Sequence, residues 1–221
     1  MPISHKATGS NLALVAVGAA LIAASTLWGG YPMGTGVPIT LQTLAILLAG
    51  SVLGAYRGAA AVLVYLALGS AGMPVWSGHG AGLQVWTTPR AGFLISFVLA
   101  AFVTGWIAER VTVSGNTGLP SFLVATTVGA LAVITILGWA YFGWRGSLSL
   151  DATMAALAPF LPGDILKAVL AAGVAAAVHA AYPEILAPHR GGRTRRGHDS
   201  SPATTGSPLA KAGSPGPTKA R

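Results

Sequence analysis

The sequence predicts an all-α membrane protein, a bundle of six transmembrane helices. Two observations carry that prediction. Of the 221 residues, 53% are hydrophobic and only 8% are charged, against roughly 25% charged in an ordinary soluble domain. The apolar residues also gather into six runs, divided by stretches that hold the prolines, many glycines and most of the charges.

Residues 12–28 (LALVAVGAALIAASTLW) carry no charge and are long enough to cross the ~30 Å of hydrocarbon in a bilayer. Lys6 precedes them as it would a signal peptide, but there is no clear small-x-small cleavage site and more apolar runs follow, so this run is the first span. Residues 29–40 (GGYPMGTGVPIT), with four glycines and two prolines, form a loop. The second span covers 41–55 and the third 58–70, with the Tyr56-Arg57 corner between them. Both are short for a crossing of ~20 residues, so they borrow flanking residues, tilt, or sit where the bilayer thins.

An irregular stretch at 71–89 (AGMPVWSGHGAGLQVWTTP) leads into the fourth span, 91–108, which ends at Glu109-Arg110. The linker VTVSGNTGLP follows, then the fifth span at 121–142. Between Gly143 and Pro162 the sequence predicts a short interfacial helix with Ser149 or Asp151 as its N-cap. The sixth span covers 163–181. The whole divides into an N-terminal tail (1–10), a six-helix membrane domain (11–187) and a basic tail (188–221).

The formal charge of +8 does not point to nucleic acid, because the charge is misplaced for it. Six of the thirteen Lys and Arg residues lie between Arg193 and Arg221, in a tail rich in Pro, Gly, Ser and Thr. Such a segment buries too little apolar surface to offset its ordering entropy, and it is expected to be disordered. RGGRTRR (190–196) reads either as a topology-setting flank or as a site for anionic headgroups. With the N-terminus in the cytoplasm, Lys6, Arg57, Arg110 and the 190–196 cluster all fall inside, which leaves Arg90, Arg145 and Lys167 in the outer half. Both glycine-rich loops and the entry to the sixth span then lie on one face, the outer one.

Several chemistries are set aside. Without cysteine there is neither a disulfide scaffold nor a thiolate metal site. No P-loop is present to power transport. Ser77 and His79 share a glycine-rich loop but have no orienting carboxylate nearby and no nucleophile elbow. GHGAG lacks the strand and helix of a dinucleotide site. His5, His79, His179, His189 and His198 are scattered, so neither an enzyme nor a bound metal or cofactor is expected.

What remains is PFLPGDILK (159–167). Asp164 suits the start of a helix, where it would cap backbone N–H groups and favour the dipole, and Lys167, three residues on, could pair with it. That reading leaves Lys167 unexplained, because a charge inside an apolar segment costs roughly 2.5–3.5 kcal/mol and normally faces a cavity or partner. Arg90, directly after Pro89, is either an interfacial anchor or a second cation beside that cavity. Thr40, Gln42 and Thr43 concentrate uncharged polar groups at a helix start, with capping by Thr40 and ligand contact both open. Trp76 and Trp86 read as interfacial aromatics, one of them available to stack on a ligand. Small residues at Ala16, Ala20 and Ala24, and at Ala19 and Ala23, serve either internal packing or partner docking.

In order along the chain, GVPITLQTLAILLAG (36–50), LGSAGMPVW (68–76), PRAGFLISF (89–97) and APFLPGDILK (158–167) resemble the BioY family, the biotin-specific S components of energy-coupling factor (ECF) transporters. The resemblance runs from the first span to the sixth and omits both tails. It departs at PRAGF, where many relatives have P-T-G-G-Y, and at Trp76, where Phe is commoner. It implies a six-helix protein of the S-component type in the bacterial cytoplasmic membrane, with both termini inside. Such a protein binds biotin with high affinity and is energised by a transmembrane coupling subunit and a pair of ABC-type ATPases. Some members are thought to work as oligomers, so a second copy of the chain stays among the expected partners. The resemblance carries Asp164 and Lys167 over as ligand residues; with the chemistry of biotin, they are expected to form the polar floor of the pocket, with Arg90, where the motif departs, as a side contact. Trp76 and Tyr65 are further contacts, and the first loop with Gln42 and Thr43 forms a lid. It also favours docking for the Ala16, Ala20 and Ala24 face.

Overall fold

In the computed structural model, residues 5–27, 39–183 and 185–186 are described. Eight α-helices run through them: α1 (His5–Leu27), α2 (Gln42–Leu53), α3 (Ala55–Ser70), α4 (Ala91–Val113), α5 (Leu119–Thr127), α6 (Ile136–Arg145), α7 (Leu150–Leu157) and α8 (Leu161–Ala181). A π-helical segment (Val128–Thr135) joins α5 to α6 without a break, and a 3₁₀ turn (Ala158–Phe160) joins α7 to α8. Four of the resulting helical rods are long and apolar enough to cross a membrane, while α2 and α3 are apolar but shorter. At 1.5 Å per residue, α2 spans only about 18 Å.

Each expected span is present as a helix, with shifted ends. The first helix begins at His5 rather than at residue 12. The turn between the second and third spans falls at Gly54, not at Tyr56-Arg57, because Gly54 takes φ +86°, which L side chains rarely adopt. Tyr56 and Arg57 instead enter the first turn of α3. Helix α4 passes through Glu109-Arg110 to Val113. Glu109 earns its place there by accepting a 2.9 Å hydrogen bond from the Ala55 N–H, so one side chain ties the end of α4 to the start of α3. Ser149, not Asp151, caps α7 by accepting from the Ala152 N–H. The basic tail from residue 188 lies outside the described residues.

The core sits where α2, α3 and α4 meet, with α1 against α3, α8 against α2 and α5, and α6 against α4. Its largest cluster joins Ile22, Ile46, Val62, Tyr65, Leu94 and Phe97 from four helices. In hydrocarbon no hydrophobic force drives helices together, so close approach matters more, and small residues permit it. A methyl group on Gly50 would stand 2.5 Å from the Ala101 carbonyl oxygen. Bare glycine therefore sets the spacing of α2 against α4. A second cluster, Trp139, Phe142, Leu157 and Phe160, fastens the α7–α8 entry to α6.

Candidate functional site

One cavity gathers the polar residues singled out above. It is lined from α2 by Gln42 and Thr43, from α3 by Tyr65, from the loop before α4 by Trp76, Ser77 and Val85, and from α4 by Phe93, Leu94 and Phe97. Arg90 stands at its side, Ile134 and Trp139 close it from the π segment and α6, and Phe160, Asp164 and Lys167 complete it from the start of α8. Counted over positions open to a water centre, its volume is about 90 Å³, several times the ~10–15 Å³ that one water needs. It is sized for an organic molecule, not for a lone ion.

Asp164 and Lys167 are each 8% exposed and their Nζ–Oδ1 distance is 3.0 Å. Burying either charge alone would cost several kcal/mol; paired within one helical turn, they form a neutral unit. The pair is not saturated: a lysine ammonium has three donors and a carboxylate two acceptor oxygens, so both retain capacity toward the cavity. The capping role expected of Asp164 is not made. Helix α8 begins at Leu161, with Pro162 in its first turn, and no side chain caps it. Proline without an N–H suits that position. Asp164 therefore lies inside the helix.

Gln42 and Thr43 are buried in the first turn of α2, so they form wall and not lid. The rest of the expected lid, residues 29–38, lies outside the described residues. Thr40 stands before the N-cap, Leu41, and does not itself cap α2; its hydroxyl accepts from the Gln42 N–H at 3.2 Å, and it lines the cavity. Tyr65 lines the cavity, but its hydroxyl is engaged: Gln42 Nε2 donates to it at 3.0 Å and it donates to the Val75 carbonyl at 3.1 Å. The same carbonyl lies 2.7 Å from Thr26 Oγ1, whose one hydrogen is shared with the Ala23 carbonyl at an equal distance. Trp76, one residue on, stands edge-on to Tyr65 and donates from its indole to the Gly82 carbonyl. Gly69 leaves room for that indole, since a methyl there would meet it at 2.5 Å.

Arg90 is exposed at the N-cap of α4; its carbonyl accepts from the Phe93 N–H at 3.0 Å, and its guanidinium makes no hydrogen bond within the described residues. Trp86 is away from the cavity lining and donates to Ser70 Oγ. His79 is exposed at φ +60° and does not line the cavity, although Ser77, two residues before it, does. His179 is buried against Phe122, with Nε2 2.8 Å from the Ser51 carbonyl oxygen. On α1, Ala19 and Ile22 are buried, whereas Ala16, Ala20 and Ala24 are exposed. The walls Phe93, Phe97, Ile134, Trp139 and Phe160 were not singled out from sequence. In so apolar a chain an aromatic facing a ligand has the same signature as one facing the core.

Comparison with known proteins decides the family, since the BioY family model matches residues 3–184. The chain belongs to the BioY family. The biotin transporter BioY of Rhizobium etli is 41% identical over 177 residues, 78% of this chain and 95% of that protein. The biotin transporter BioY of Rhodobacter capsulatus is 41% identical over 189 residues, 80% and 96% of the two chains. The fold is similar to that in a 2.1 Å crystal structure of the S-component for biotin from an ECF-type ABC transporter, with a TM-score of 0.74 at 23% identity. The match covers 81% of this chain and 95% of that one. Within this BioY chain, the cavity draws on each of the four motifs from which the resemblance was read.

Proposed function

We propose that this chain binds biotin in the cavity of α2, α3, α4, α6 and α8 and serves as the substrate-specific component of an ECF-type transporter for its uptake. The observation that carries this reading is the buried Asp164–Lys167 pair in an otherwise largely aromatic and aliphatic cavity, taken with the names of the relatives matched along nearly their full length. Biotin is an apolar bicycle with a ureido group, which has two N–H donors and a carbonyl, and a carboxylate on a flexible chain. A carboxylate accepts from N–H, while Lys167 and Arg90 meet carboxylate or carbonyl oxygen. Trp76, Trp139 and Phe160 cover the apolar remainder.

On this reading the helical rods make six crossings, with both termini and the 188–221 tail in the cytoplasm of a bacterial cell and the cavity opening to the outer side. A coupling subunit docks on the bare Ala16, Ala20 and Ala24 face of α1, where small side chains admit a close neighbour, and ABC-type ATPases supply the energy. A homo-oligomer of the chain is the alternative assembly. Labelled-biotin binding to the purified protein is the test. Asp164→Asn and Lys167→Ala should each weaken binding at least tenfold, because each leaves its former partner as a buried unpaired charge. Unchanged affinity in both variants would remove these residues from the pocket, and absence of binding by the unaltered protein would remove biotin.

A further inference from the structure

The hydrogen bonds beneath the cavity have only one consistent direction. The Val75 carbonyl oxygen can only accept, so the Tyr65 hydroxyl, with its single hydrogen, donates to it. The Tyr65 oxygen is then an acceptor toward Gln42, and the Gln42 amide must turn its Nε2 that way, as the 3.0 Å contact has it. An amide whose nitrogen is held has its oxygen fixed on the other side. No donor of the described residues reaches Oε1, and Gln42 lines the cavity. Tyr65 is 1% exposed and its hydroxyl has one donor and one acceptor role, both used; it is poorly placed to bond a ligand itself.

We infer that Tyr65 is a positioning residue: by holding Gln42 Nε2, it presents Gln42 Oε1 to the cavity as an acceptor for an N–H group of the ligand. This rests on the biotin reading, under which the only N–H donors at neutral pH are the two ureido nitrogens. Gln42 then reads the ureido ring rather than the carboxylate. Were the amide reversed, it would offer N–H donors and suit a carbonyl or carboxylate.

The test uses the full chain, purified in detergent, with labelled biotin displaced by biotin, by its methyl ester and by its two ureido N-methyl derivatives. In the unaltered protein, methylating the nitrogen that Gln42 reads carries an affinity penalty. In Tyr65→Phe that penalty should shrink about three- to tenfold, the worth of one net hydrogen bond, because the amide is no longer held. Gln42→Leu, which leaves the Tyr65–Val75 bond in place, should shrink it by as much. The penalty for the methyl ester should be the same in all three proteins. A general loosening of the pocket would instead lower affinity for every compound and leave the ratios alone. Unchanged N-methyl penalties in Gln42→Leu overturn the inference even if Tyr65→Phe does not fold, and so does a change confined to the ester. Failure of the unaltered protein to bind biotin rejects the functional reading, whereas normal binding with unchanged ratios rejects only the role of Tyr65.

Discussion

The Val75 carbonyl is the group on which three parts of the chain converge, since Tyr65 of α3 donates to it and Thr26 of α1 shares its one hydroxyl hydrogen between it and the Ala23 carbonyl. Each bond is buried, and each is worth about 1 kcal/mol net. Thr26→Val and Tyr65→Phe should therefore each lower thermal stability. The double variant should lose more than their sum, because in each single variant the loop can shift to strengthen the bond that remains, and that compensation is gone when both donors are removed. Scanning fluorimetry of the four proteins in one detergent measures this, and strict additivity would mean the two bonds are independent. At this scale the sequence was informative where polarity is rare. Asp164, Lys167, Gln42, Thr43 and Arg90 stand out against an apolar background, and all five line one cavity. Tyr65 was legible only through the resemblance, and the direction of its hydrogen bonds depends on where the Val75 carbonyl points, which no sequence pattern records.

Among the elements, the helices were legible and their joints were not. Long apolar runs announce spans, but the stop of a helix depends on local partners such as Glu109 on the Ala55 N–H. The π segment at Val128–Thr135 left no trace in the run LVATTVGALAVITILGW, since side-chain hydropathy is silent on whether a turn closes over four or five residues. Ile134 lies in that segment and Trp139 one turn beyond it, and both line the cavity, so part of its wall follows a stretch whose geometry the sequence does not record. Helix spacing gives a direct prediction. Gly50→Ala places a methyl against the Ala101 carbonyl, and the backbone has to yield; we expect a loss of about 1–3 kcal/mol, seen as a lower melting temperature. A stability equal to that of the unaltered protein would mean α2 and α4 are not held at this distance.

For the whole molecule, the absence of cysteine makes orientation simple to test. His79→Cys and Asn116→Cys place single thiols at exposed positions in loops assigned to opposite sides. A membrane-impermeant maleimide applied to intact cells should label the first and spare the second; the reverse pattern would invert the topology. Docking is tested separately: Ala20→Leu, on the bare face of α1, should leave biotin affinity unchanged and reduce uptake severalfold, and unchanged uptake would clear that face of a role. The Asp164–Lys167 pair has a consequence for motion. Both charges ride on α8, within one turn, so no shift of the other helices separates them. However the bundle rearranges to admit or release its cargo, the pair travels as a zero-charge unit. The membrane voltage, which does about 2.3 kcal/mol of work on a full charge per 100 mV, therefore has no net charge to pull on in the floor of this site.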